Sequence, residues 1–279
     1  MDQQEARDMQ RRIIAALDVP SSFDAKQEVE RRVTFLTRHL IDNARNALVL
    51  GISGGVDSSV AGRLAQLACE RAREQGHRAE FIAMRLPYGE QADESDAQRA
   101  LDFIRPDRRT TVNIKPAADA MLASLREGGL LFTDDNQQDF VLGNIKARQR
   151  MIAQYALAGT HAGLVIGTDH AAEALMGFFT KYGDGACDLT PLSGLNKRRV
   201  RELALALGAT QDIAHKVPTA DLETLTPQRP DEDAYGITYA QIDDFLEGKP
   251  VSNEVYTTIK RFYEGSAHKR ALPIEAPRK

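Results

Sequence analysis

The sequence predicts an α/β protein, a doubly wound parallel sheet followed by a helical C-terminal portion. Three observations carry that prediction. Short apolar runs alternate with stretches whose apolar residues recur at helical spacing, as in a parallel sheet with helices on both faces. The runs are nearly continuous in apolar character, as strands buried on both sides are. Beyond about residue 196 the chain reads as helical, broken by one polar loop over 218–236.

Taken in order, residues 5–17 and 24–43 read as helices, the second with Asp24 and Gln27 placed for a capping box. Ala47-Leu48-Val49-Leu50-Gly51-Ile52 is the first strand and runs into serine and glycine. Residues 58–75 carry Val60, Leu64, Leu67 and Ala68 at helical spacing. The second strand runs from Ala79 to Met84 and ends in a loop at Pro87-Tyr88-Gly89. A helix near 93–104, a strand from Thr110 to Ile114 and a helix near 116–127 follow. A long helix over about 139–158 then precedes the strand Gly163 to Gly167, with Ile145, Met151, Ile152, Tyr155 and Ala156 expected in the core. The whole reads as a single domain over 1–279: N-terminal helices at 1–45, the sheet core at 46–195 and a helical portion at 196–279.

Composition narrows the function. The 279 residues are 42% hydrophobic and 27% charged, an ordinary globular balance with enough chain for a substantial core. The net charge of −4 gives no general attraction to nucleic acid or an anionic membrane, so neither is an expected partner. No apolar run approaches the roughly 20 residues that span a bilayer. Cys69 lies in an apolar helical stretch and Cys187 in a glycine-rich loop open to exposure. Neither suggests a disulfide or zinc site, and the N-terminus is polar, so a cytoplasmic setting is expected.

The first strand delivers Ser53-Gly54-Gly55-Val56-Asp57-Ser58 directly into a helix. Adjacent glycines let the backbone turn sharply and come close to an anion. The helix start adds N–H groups and the favourable end of its dipole. Ser53, Ser58 and Ser59 supply hydroxyls, and Asp57 places a carboxylate where a hard cation could bridge to phosphate oxygens. No Gly-Lys-[Ser/Thr] closes the loop and no Gly-x-Gly-x-x-Gly is present there, so it is a phosphate cradle of neither of those kinds. A second segment, Gly167-Thr168-Asp169-His170-Ala171-Ala172-Glu173, follows the last strand. Thr168 and Asp169 can cap the next helix, and Glu173 lies in its first turns. His170 reads as a capping or packing imidazole and not as a base. The charged, glycine-punctuated segment from Lys181 to Asp188 comes next, with a surface pairing of those two residues as its plainest reading. Strand ends of this kind are where open parallel sheets bind ligands.

The hexapeptide resembles the SGGxDS pyrophosphate loop of the N-type ATP pyrophosphatases, whose sheet is of the Rossmann-like, adenine-nucleotide α-hydrolase type. Those enzymes adenylate a carbonyl oxygen and let a nitrogen or sulfur nucleophile displace AMP. Within them the chain is similar to the ammonia-dependent NAD synthetase family. The resemblance rests on Gly167 to Glu173, Gly177 to Asp188, Arg85 to Gln91, Gly143 to Arg148, Lys216 to Leu222, Glu247-Gly248-Lys249 and His268-Lys269-Arg270, in order along residues 30 to 270.

The resemblance implies the last step of NAD biosynthesis, in which ATP adenylates the nicotinate carboxylate of deamido-NAD and ammonia displaces AMP. Carried over by motif, Gly51, Ile52, Ser53, Gly54, Gly55, Val56, Asp57 and Ser58 would hold ATP, with Arg85, Gln91, Thr168, Lys197 and Thr219. Asp57 and Glu173 would bind Mg2+. Arg148, Lys181, Asp188, His268 and Lys269 would contact deamido-NAD. Asp57, Glu173 and Lys181 are the implied catalytic residues. A homodimer is implied as well, with the long helix helping to form it. The loops over Pro87–Glu94 and Pro218–Asp233 are expected to order over bound ATP. Neither type of fused glutaminase is expected, since Asp2 follows the initiator and only about fifty residues precede the phosphate loop. Free ammonia is therefore the expected donor, with a separate glutaminase open as its source. A tRNA-thiolating relative would be expected to show a basic face and often catalytic cysteines. A non-catalytic nucleotide-binding module would not need the Lys181–Asp188 side.

Overall fold

The computed structural model describes residues 3–89, 94–220, 222, 224–225, 229–271, 273 and 275–276. The elements run α1 (Gln3–Ala16), α2 (Ala25–Asp42), β1 (Ala47–Gly51), α3 (Val56–Glu74), β2 (Glu80–Arg85), α4 (Glu94–Ile104), β3 (Arg108–Thr111), α5 (Lys115–Glu127), α6 (Asp135–Thr160) and β4 (Gly163–Val165). Then come α7 (Ala171–Met176), α8 (Lys197–Ala206), α9 (Gln211–Ala214), β5 (Thr219–Ala220), β6 (Arg229–Pro230), α10 (Asp231–Tyr235), α11 (Tyr239–Leu246), α12 (Asn253–Gly265) and a 3-10 turn at Ala267–Lys269.

The four main strands are parallel, in the order β3-β2-β1-β4. Side chains of a strand point alternately to opposite faces, and β1 shows why its run had to be continuous. Leu48 and Leu50 enter the core shared with α2, α3, α4 and α8. Ala47 and Val49 enter the opposite core with Ile82, Met84, Val165 and Ala158 of α6. Each fully buried leucine or valine contributes about 1.5–3 kcal/mol. The sheet is doubly wound, as expected. Asp24 caps α2 through Oδ1, which accepts from the Gln27 N–H at 2.8 Å. A third core, built from Ile13, α7, α11 and α12, joins both ends of the chain.

Some expectations are corrected. The third strand covers 108–111 and not 110–114, because this edge strand carries Arg108 and Arg109 while Val112 is exposed. The stretch 218–236 is not one polar loop. It contains the antiparallel β5–β6 pair and the helix α10, whose Tyr235 is buried against Phe178. On α6, Ile145 is buried but Ile152, Tyr155 and Ala156 are exposed, so only part of the expected core stripe is core. Cys187 is half-buried, with its Sγ against Gly167. Among the described residues no helix is long and apolar enough to cross a membrane.

Candidate active site

From β1 the chain moves outward to β2 and β3, then returns to β4 on the other side of β1. That reversal opens a crevice at the C-terminal ends of β1 and β4, where a doubly wound sheet binds its ligand. A cavity of about 450 Å³ lies there, within the usual range for ligand sites. Gly51, Ile52, Ser53, Gly55, Val56, Asp57, Ser58, Thr168, Glu173, Thr219 and Lys269 all line it. The expected phosphate loop and the second segment thus share one wall.

The loop is held from within. Ser53 Oγ lies 3.1 Å from Ser58 Oγ and accepts from the Gly55 N–H at 3.2 Å. Gly55 is the N-cap of α3 and lends no side chain to it, so the first-turn N–H groups face an incoming anion without a side-chain competitor. Gly54 has φ +90°, and a Cβ there would come within 2.8 Å of the Ala97 backbone nitrogen. Any side chain at this position would push the loop off α4.

Around Asp57 of the loop sits a cluster of ionisable groups. Lys197, at the start of α8, is fully buried and donates from Nζ to Asp57 Oδ2 at 2.8 Å. Its ammonium also lies 4.8 Å from the centre of the Tyr239 ring. His170, and not Thr168 or Asp169, is the N-cap of α7: its Nδ1 accepts from the Glu173 N–H at 3.4 Å. Its Nε2 lies 3.4 Å from Asp57 Oδ1 and 3.6 Å from Glu173 Oε1. The imidazole is therefore a cap, in line with the sequence reading.

Burial raises the Asp57 carboxyl, but Lys197 and His170 outweigh it and hold Asp57 well below the usual range. Burial pushes Glu173 up to about 8 against His170 and Lys197, with Asp57 and Asp169 adding to the rise. Asp169 is pushed up to about 7 by burial, Asp184 and Asp57. Three carboxylates thus crowd a low-dielectric corner that holds one buried ammonium. Asp57 Oδ1 is buried without a hydrogen-bond partner among the described residues, as is His170 Nε2. One ligand atom each from Asp57, His170 and Glu173 lies within 4.8 Å of the others. Of these, the Asp57 and Glu173 carboxylates suit a hard divalent cation, which would satisfy the orphaned oxygen and relieve the repulsion.

The other predicted residues divide. Arg85 does not line the cavity; buried beneath the loop, it donates to Ile52 O at 2.7 Å and pairs with Glu94 at 2.7 Å. Gln91 lies outside the described residues. Arg148 donates to Lys181 O at 3.2 Å, and Lys181 Nζ donates to His268 O at 2.7 Å, so these three form one strip beyond the cavity rim. Lys269 turns inward, donating to Gly177 O and Phe179 O at 2.8 Å each. Lys181 and Asp188 do not pair with each other. Asp188 instead accepts from the Val165 N–H at 2.7 Å and from Tyr155 Oη at 3.4 Å, beside β4. Gly177 closes α7 at φ +62°, where a Cβ would fall 2.1 Å from Ser266. That contact packs the end of α12 against the cavity wall.

Sequence reasoning missed several lining residues: Gln154, whose Oε1 accepts from the Gly51 N–H at 2.8 Å, and Arg150, Thr180, Asp184 and Asp231. Asp184 accepts from the Thr180 N–H at 2.9 Å. For Gln154 and Arg150 there was a signal, namely polar residues four apart on one face of α6.

The NAD synthase family matches residues 28–273. An NH(3)-dependent NAD(+) synthetase of Paraburkholderia phytofirmans is 63% identical over 273 residues, which is 98% of this chain and 96% of that protein. The crystal structure of NAD+ synthetase from Burkholderia pseudomallei superposes with a TM-score of 0.84 at 62% identity, over 96% of this chain and 98% of that one. The NMN synthetase from Francisella tularensis follows the same fold with a TM-score of 0.79 at 35% identity, over 91% of this chain and 99% of that one. The chain belongs to the NAD synthase family.

Proposed function

We propose that this chain is an ammonia-dependent NAD synthetase, a ligase that uses ATP to amidate the nicotinate carboxylate of deamido-NAD. The observation that carries the reading is the cluster of half-buried Asp57 and Glu173 around buried Lys197, set at the start of α3 at the switch point of the sheet. The family membership and the high-identity relatives support the same reading.

A carboxylate is a poor electrophile, so one of its oxygens first attacks the α-phosphorus of ATP and expels pyrophosphate. Ammonia then adds to the activated carbonyl, loses a proton and displaces AMP. Bringing an anionic carboxylate to a triphosphate needs positive charge in a dry site. The N–H groups of α3 and the serine hydroxyls bind phosphate oxygens, Lys197 holds Asp57 ionised and oriented, and Thr168 and Thr219 close the cavity wall. Bound Mg2+ would supply charge neutralisation at the phosphates, held by Asp57 and Glu173. In this reading Arg148, Lys181, Asp188, His268 and Lys269 engage the dinucleotide, and positioning does most of the remaining catalysis.

The exposed Ile152, Tyr155 and Ala156 on α6 favour a homodimer, because they form one apolar stripe beside Asp188. Ammonia is the direct nitrogen donor, whether free or released by a separate glutaminase. A cytoplasmic setting belongs to the same reading, since both thiols are free and ATP is the co-substrate.

Purified protein given ATP, magnesium, ammonium and deamido-NAD is expected to yield NAD and AMP in equal amounts. ADP in place of AMP, or turnover that ignores deamido-NAD, would overturn the assignment. Offering the acid form of NMN in parallel separates this activity from the one for which the Francisella relative is named.

A further inference from the structure

One face of α6 carries a polar stripe that the reaction itself does not call for. Asp139, Gly143, Lys146, Arg150 and Gln154 follow one another at intervals of four, three, four and four residues, so they share a helical face. Asp139 and Lys146 are buried. Gln154 fixes Gly51 of the phosphate loop, and Arg150 Nε donates to Leu86 O at 3.1 Å. Asp139 accepts from the Thr224 and Leu225 N–H groups, one with each carboxylate oxygen, at 2.8 Å each. A Cβ at Gly143 would come within 3.2 Å of Leu222 O, so the missing side chain lets Leu222 lie close against the helix.

Lys146 of this stripe touches two segments at once. Its Nζ donates to Leu222 O and to Thr224 Oγ1, both at 2.9 Å. The same ammonium lies 4.2 Å from the centre of the Tyr88 ring, on the segment that follows β2. Tyr88 is gripped in turn by Asp119 and by Lys115 of α5. Burying an ammonium is costly compared with burying a methionine of similar length. A stabilising role alone would be better served by the apolar residue. The charge makes sense where two backbone segments must be held in one relation to each other.

We infer that Lys146 is a positioning residue that couples Tyr88 to Leu222 and Thr224. Through that coupling it sets the wall at Pro218 and Thr219 against the phosphate loop. This rests on the NAD synthetase reading given above.

The test is a double-mutant cycle on kcat/KM for ATP, with Tyr88→Leu and Thr224→Val made singly and together. It is run once with Lys146 present and once in Lys146→Met. With Lys146 the combined effect is expected to depart from the product of the single effects by about fivefold, and in Lys146→Met by less than about twofold. Lys146→Met is also expected to raise the AMP released per NAD formed, because a displaced wall admits water to the adenylate. If the methionine variant does not fold, Lys146→Gln keeps a donor to Leu222 O but removes the cation from Tyr88, and the coupling must again collapse. Coupling that persists without the ammonium, or that is absent with it, overturns the inference. A wild type that makes no NAD overturns the functional reading instead, and that control is read first.

Discussion

The two ends of the central sheet hold their carboxylates under opposite conditions. At the N-terminal end, Asp107 has every oxygen met. Oδ1 accepts from Gln66 and Arg73 at 3.2 Å each, and Oδ2 accepts from Arg73 and the Phe81 N–H at 2.9 Å each. Burial alone would raise its carboxyl, yet Arg73, the Phe81 N–H and Gln66 keep it below the usual range. At the C-terminal end, Asp57 keeps one oxygen without a hydrogen-bond partner among the described residues, while Glu173 and Asp169 are pushed up to about 8 and about 7. The same residue type, in the same sheet, is satisfied at one end and frustrated at the other. Perturbed groups left without partners collect where a protein binds or reacts, and the cost is carried by the rest of the fold.

The strongest way to break the comparison is Asp57→Asn. It removes the carboxylate proposed to hold the cation and leaves the fully buried Lys197 without its counter-charge. AMP formation is expected to fall by at least about 10²-fold to 10³-fold, a loss typical of removing one electrostatic contact from a reacting centre. Stability is expected to drop by about 3–5 kcal/mol, because an unpaired buried charge remains. AMP release and urea unfolding measure the two effects. Near-normal turnover would show that the frustrated end is not the reacting one.

The placement of Ser53–Ser58 at the cavity was legible in the sequence because it is local: six contiguous residues between a strand and a helix fix the geometry of the turn. The alternation of strands and helices was legible for the same reason. What escaped was whatever depends on distant residues meeting. Gln154 reaches Gly51 across 103 positions and Arg150 reaches Leu86 across 64. His170 shows the limit from the other side, since its cap could be read locally but its place between Asp57 and Glu173 could not. The 218–236 stretch misled because the five-residue α10 is stabilised by packing of Tyr235 into a distant core and not by its own propensity.

The frustrated end is itself uneven. Its phosphate-loop side lines the cavity within one chain, whereas exposed Arg148 and His268 and half-buried Lys181 lie beyond the rim and Asp188 stands beside the exposed stripe of α6. If a second copy covers that stripe, a charge at its centre separates the two halves of the site. Ile152→Asp is expected to shift the protein from dimer to monomer in sedimentation. It should raise KM for deamido-NAD about tenfold or more while changing KM for ATP far less. Equal changes in both constants, or an unaltered sedimentation coefficient, would place the dinucleotide site within one subunit.

The satisfied end gives the smallest effect and the sharpest control. Asp107→Asn keeps the shape but removes the charge that Arg73 and the Phe81 N–H address, so stability at pH 7 is expected to fall by about 1–2 kcal/mol with turnover unchanged within about twofold. The folded-state pKa of Asp107 lies below its unfolded value of about 3.9. Its contribution is therefore fully present above that value and is lost as pH falls through the folded one. Asparagine has no such titration, so the gap between wild type and variant should be constant from pH 7 to about pH 5 and close below about pH 4. Urea unfolding across that range reads it directly. A gap that widens in acid would mean Asp107 is the strained carboxylate, and the contrast between the two ends of the sheet would reverse.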